Sequence, residues 1–278
     1  MKKSIMTAVL YVAVVLGGFA AYDEWVVEKQ QVAVGNQHGM NEHGAQTHES
    51  SHEHGSDPLH DVQSEVNVSV RAEQEEVVIN LEDKAGNPVT ELEINHEKIL
   101  HLIMVDESLQ KYDHVHPEQT GKGEFRVPHS LKEGSYKAFV DIKPKHLAYH
   151  VTPVPFTVGN PEAAEDHDHG LLPDSTLTRQ VDGETVTLLM SSLQANEPVM
   201  LNFELDQTNL TPYLGAMGHV VILDEKAQHF LHVHPSNEKQ PIFETRFSQP
   251  GIYKIWAEFK QNGKVRAFPF VVEIKGEK

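Results

Sequence analysis

"HLIMVDESLQKYDHVHP", residues 101–117, and "HVVILDEKAQHFLHVHP", residues 219–235, are one text written twice. Laid over each other without a gap, the first His, the Asp-Glu pair, the Gln and the closing His-Val-His-Pro coincide. Each copy opens on a short apolar run, breaks at a polar turn and resumes in a short segment that a proline ends, which is the pattern of two strands joined by a turn. The agreement extends downstream. Phe125 falls over Phe243 and, after a one-residue shift, "GSYKAFVDI" (134–142) falls over "GIYKIWAEF" (251–259). The chain therefore carries an internal duplication of one module.

The flanking sequence is strand-like as well. "EVNVSV" (65–70) alternates, "VVINL" (77–81) is a nearly continuous apolar run, and "EDKAGNPV" (82–89) is a turn signal. "VTLLM" (186–190) and "VMLNFEL" (199–205) open the second copy in the same way. No segment offers a long amphipathic helical period, so each copy is expected to be an all-β sandwich.

Composition limits the chemistry. The 278 residues are 39% hydrophobic, enough for two cores, and 41 acids against 23 bases give a net charge of −18. Nucleic acid and anionic lipid headgroups are excluded as partners on charge, and cations are favoured. Cysteine is absent while histidine occurs 19 times, which removes disulfides, thiolate sites, thiol catalysis and a lipid-anchor cysteine, and leaves imidazole and carboxylate.

Lys2 and Lys3 precede the apolar run "SIMTAVLYVAVVLGGFAA" (4–21), and Asp23 and Glu24 follow it. This is the pattern of an export signal, cleaved or retained as a membrane-anchoring helix, with the remainder of the chain facing outward. Residues 37–61, "QHGMNEHGAQTHESSHEHGSDPLHD", hold six histidines among polar residues and cannot build a core. The expected organisation is a signal peptide or anchor at 1–22, a disordered His-rich tether at 23–61, module 1 at 62–159, a His-rich acidic linker at 160–175 and module 2 at 176–278.

The modules share two histidine triads: His101, His114 and His116 in the first, and His219, His232 and His234 in the second. On a strand, residues two apart point to one face, so His114 with His116, and His232 with His234, can act as a two-nitrogen chelate while Val115 and Val233 face the core. Pairing across the turn brings in the third histidine. Three imidazoles from adjacent strands suit zinc or copper. Met217, two residues before His219, is a further candidate ligand that leans toward copper, whereas Met104 points to the opposite face from His101 and belongs to the core. The Asp106-Glu107 and Asp224-Glu225 pairs read as polar turns. Imidazole ligation predicts an affinity that falls as pH drops below about 6.

With these motifs the chain resembles extracytoplasmic bacterial His-Val-His-Pro metal-handling domain proteins, distantly similar to YtkA-like domains. The resemblance covers mainly 98–142 and 216–259. It implies two tandem immunoglobulin-like or cupredoxin-like β-sandwich domains that bind copper first and zinc second, outside the cytoplasm, for buffering, sensing or transfer. The expected partner is a membrane metal transporter or another extracytoplasmic metal protein. Two readings compete. A zinc hydrolase could use a three-His site, yet the sequence has no H-E-x-x-H, G-x-S-x-G or Gly-rich phosphate loop, and two equivalent modules suit binding better than one active site. A structural or adhesion-type sandwich would carry the histidines incidentally.

Overall fold

The computed structural model describes residues 63–95, 97–160, 170–233, 235 and 239–276. The apolar N-terminal run, the His-rich tether, His96, the linker histidines His167 and His169, and His234 lie outside these residues. Among the described residues every regular element is a strand, and no helix is long and apolar enough to cross a membrane.

Module 1 contains β1 (Val66–Glu73), β2 (Glu76–Asp83), β3 (Leu92–Glu93), β4 (His101–Asp106), β5 (Tyr112–Val115), β6 (Glu118–Gly121), β7 (Glu124–Pro128), β8 (Gly134–Asp141), β9 (Lys143–Pro144) and β10 (Val154–Val158). Module 2 contains β11 (Thr178–Val181), β12 (Glu184–Met190), β13 (Pro198–Leu205), β14 (Leu210–Thr211), β15 (His219–Asp224), β16 (Phe230–Val233), β17 (Ile242–Arg246), β18 (Gly251–Gln261) and β19 (Lys264–Ile274). Each module is built on two antiparallel sheets face to face, and in module 1 the short β3 and β9 pair as a separate two-stranded sheet. In module 1 the sheet β1-β2-β7-β6 covers β10-β8-β4-β5, and in module 2 the sheet β11-β12-β13-β17 covers β16-β15-β18, with β19 and the short β14 also paired to β18. This is the immunoglobulin-like sandwich expected twice over.

Alternation along the strands builds the cores. Leu102, Met104 and Val140 meet Val77, Ile79 and Phe125 inside module 1. Val220, Ile222 and Ala257 meet Leu201, Phe203 and Phe243 inside module 2. Val115 and Val233 face these cores, and Met104 is a core residue, as the pleat requires. The Asp-Glu pairs do make turns: Asp106 Oδ1 accepts the Lys111 N–H at 2.7 Å, and Asp224 Oδ1 accepts the Gln228 and His229 N–H groups at 2.6 and 2.8 Å.

The outward residues of β4 and β15 are not in water. Ile103, Val105, Leu109 and Phe139 of module 1 pack against Val221, Leu223, Ala227 and Trp256 of module 2 as a third apolar cluster. Tyr112 stacks on Trp256 with centroids 4.8 Å apart, and Phe230 stacks on Phe139 at 5.1 Å. These stacks are repeat equivalents of each other, so the two modules dock with an approximate twofold relation, in the manner of a self-complementary dimer interface. Leu171, between the modules in the sequence, packs against the same cluster.

Candidate metal centre between the modules

The histidines sit on that docking face. His101 opens β4 on the same side as Ile103 and Val105, and pairing of Ile103 with His114 sets the β5 histidines beside it. His219 opens β15, and His232 on β16 lies opposite Val221. The strand logic of the sequence divides the histidines into two sets, one for each module, and His234 of the second set lies outside the described residues. The structure brings the others together.

His101 Nδ1 lies 3.1 Å from His114 Nε2 and 3.2 Å from His116 Nε2. His232, from the other module, has its ring 5.2 Å from that of His101 and 5.4 Å from that of His114. One ligand nitrogen each from His101, His114 and His232 falls within a 4.8 Å group. His219 stands behind, its ring 5.9 Å from His232 and 6.3 Å from His114. Met217 is half-buried in the loop leading into His219.

The far nitrogens of the rings are committed. His101 Nε2 donates to the Asn95 carbonyl at 2.9 Å, and His219 Nε2 donates to the equivalent Tyr213 carbonyl at 2.8 Å. His114 Nδ1 donates to Glu258 at 2.6 Å and His232 Nδ1 donates to Asp141 at 2.7 Å. Both carboxylate bonds cross the module boundary. Asp141 and Glu258 fall over each other in the repeat, opposite His101 and His219 in the ladders of their own modules, and each holds the second histidine of the other module.

Fixing the outer N–H of a ring turns its remaining nitrogen inward as a lone pair, the arrangement by which carboxylates orient metal-binding histidines. The cluster is also dry. His101 is fully buried, the His114 side chain is 0% exposed, and the His232 and Glu258 side chains are 3% and 7% exposed. Burial first, then the neighbouring His114 and His101 rings, push the His116 imidazole down to about 3, so it is a neutral ring at physiological pH.

The sequence reading missed Asp141 and Glu258. Their signal was present: they are the one pair of acids that the alignment of "GSYKAFVDI" with "GIYKIWAEF" places together, each ending an otherwise apolar strand segment.

The fold and the cluster define a duplicated β-sandwich protein whose repeats enclose a shared histidine site. The chain belongs to a family described as "Domain of unknown function (DUF8832)", whose model matches residues 59–161 and again residues 179–276. No curated protein matches the chain. Among solved structures it is similar to FdeC, an Escherichia coli adhesin, at 15% identity over 77% of this chain and 65% of that one, with a TM-score of 0.22. It is also similar to the FN1-FN3 domains of chicken CNTN1, at 8% identity over 74% and 66%, with a TM-score of 0.21. The chain thus spans slightly less than two thirds of the length of either.

Proposed function

We propose that this protein binds a transition-metal ion, zinc or copper, between its two modules, through His101, His114 and His232 with His116 alongside, and that it does so outside the cytoplasm to buffer, sense or transfer the ion. The observation that carries this reading is the 3.1 Å approach of His101 Nδ1 to His114 Nε2. Each of those nitrogens belongs to a ring whose proton is spent on Asn95 or Glu258, so two neutral rings would present lone pairs to each other. A cation between them would satisfy both lone pairs at once. Two nitrogens on one tetrahedral zinc ion, bonded at about 2.0–2.1 Å, stand about 3.3 Å apart, close to the 3.1 and 3.2 Å spacings around His101.

A second reading has its own support. The apolar cluster and the crossed carboxylate bonds join the modules without any ion. A proton shared by the rings would satisfy the same lone pairs, and the protein would then be a structural or adhesion-type tandem sandwich.

Calorimetric titration of the full chain with Zn(II), Cu(II) and Cu(I) separates the two, using wild type, His114→Ala and His232→Ala. All three proteins keep the same tether histidines, so differences report the cluster. One shared site predicts that either substitution alone removes the same single tight event. Independent sites in each module predict that each substitution removes one event of two. Three identical isotherms, with only loss of thermal stability in the variants, would sink the metal reading and support the structural one.

A further inference from the structure

Resting on the metal-binding reading above, we infer that the site is matched by charge to a divalent cation and selects it over Cu(I), with Asp141 and Glu258 as the residues that set the preference. The candidate ligands His101, His114, His116 and His232 are imidazoles that ligate in the neutral form and bring no charge. Behind two of them stand carboxylates, bonded to His114 Nδ1 at 2.6 Å and to His232 Nδ1 at 2.7 Å. Glu258 is 7% exposed and Asp141 15% exposed, so neither charge is well screened by water. Two such charges beside one group of rings add up to −2, which a dication cancels and a monocation cancels by half.

The placement argues that the pair was kept for the site. Asp141 and Glu258 occupy equivalent positions of the duplicated module, and each acts on the other module's histidine. A role in orienting the rings alone would be met by an uncharged acceptor, as the Asn95 and Tyr213 carbonyls already do for His101 and His219. The same cluster thus holds four rings by two means: carbonyls for the first histidine of each module and carboxylates for the second.

The test compares wild type with Asp141→Asn, Glu258→Gln and the double variant, reading Zn(II) and Cu(I) affinities by chelator competition under anaerobic conditions. Loss of an outer partner typically costs about 10–100-fold in metal affinity. Charge matching predicts that the Zn(II) affinity falls on that order for each single change and further in the double variant, while the Cu(I) affinity falls several-fold less, so the Zn(II)-to-Cu(I) ratio narrows. Equal losses for both ions would show that the carboxylates only aim the rings, and would overturn the inference while leaving the metal site in place. Cu(I) bound tightly by wild type with no tight Zn(II) event would overturn it too. If wild type binds neither ion, the metal reading itself fails. The amide variants are near-isosteric, and an unchanged far-ultraviolet spectrum with a cooperative melt identifies those that fold. Either single change is enough to read the ratio if the double variant does not.

Discussion

Gly218 shows how closely the site is built. It precedes His219, and a Cβ there would lie 2.5 and 2.7 Å from ring carbons of Phe259 and 2.8 Å from the carbonyl oxygen of Glu258. The absence of a side chain lets β15 approach β18 where His219 pairs with Glu258, the residue that reaches across to His114. The obstacle is a packed ring and backbone, neither of which yields cheaply. Gly218→Ala is expected to cost about 1–3 kcal/mol, the usual range for overpacking, measured as a shift in urea midpoint at constant slope. On the metal-binding reading it should also weaken the ion's affinity, by displacing Glu258. A change within about 0.5 kcal/mol, typical of an open surface position, would mean that the strands part freely and that this close approach is unimportant. The sequence makes His101, His114, His219 and His232 legible as a set, because repetition at fixed spacing is a property of the text. The ring nitrogen that each one turns inward depends on Asn95, Tyr213, Asp141 and Glu258, which lie far along the chain or in turns, and spacing contains no trace of that.

Among the elements, β4 and β15 explain both the success and the gap in reading the sequence. "HLIMV" and "HVVIL" do not alternate, and all five residues of each are buried. An uninterrupted apolar strand in an antiparallel sheet signals that both faces are covered. The sequence thus contains the information that something packs on the outer face, but not what. The i, i+2 rule assigns His114 and His116 to one face and leaves open that the partner there is the other copy of the same module. The sandwich class was legible from strand length and turn punctuation, while the joint site required knowing how the two sandwiches dock. Tyr112 in β5 makes that docking testable. Burial first, then the Glu258 charge, hold its phenol well above its ordinary value near 10, and its hydroxyl is enclosed without a hydrogen-bond partner. Tyr213, beside the cluster, is pushed up to about 12, again mainly by burial. Because the folded pKa is the raised one, the unfolded or undocked chain loses the proton first as pH climbs past about 10. Stability contributed by the protonated phenols is therefore complete below about pH 10 and lost above it. Urea unfolding followed by Trp256 fluorescence, in a Trp25→Phe background, should show a midpoint that the phenols leave level from about pH 8 to about pH 10 and lower above about pH 10. Tyr112→Phe should flatten that fall. An identical slope in the variant would exclude Tyr112 as a source of the alkaline loss.

At the scale of the whole molecule, the metal-binding reading makes the candidate site and the interface one thermodynamic object. His101 and His114 come from one module, His232 from the other, and the carboxylates are exchanged between them, so an ion held by all three is bound only by the docked arrangement. An ion that binds the docked state alone stabilises it by RT ln(1 + [L]/Kd), about 2.7 kcal/mol at a free concentration of 100 Kd. Linkage then works in reverse: weakening the apolar interface must weaken the ion's apparent affinity by the factor that undocks the modules. Leu223 provides the lever. It is fully buried in the inter-module cluster and is not a candidate ligand. Leu201 provides the control, equally buried but inside the core of module 2. Both changes to Ala fall in the range of about 2–5 kcal/mol for large-to-small core substitutions. Leu223→Ala is expected to lower zinc affinity by about 5–150-fold, the usual span of coupling between sites. Leu201→Ala, at temperatures where it remains folded, is expected to leave zinc affinity unchanged despite a comparable loss in melting temperature. The paired measurement is decisive because general instability would lower affinity in both proteins or in neither. Zinc binding that ignores Leu223→Ala would mean that the modules stay docked by other contacts, and that the ion is a passenger of the interface with no part in holding it.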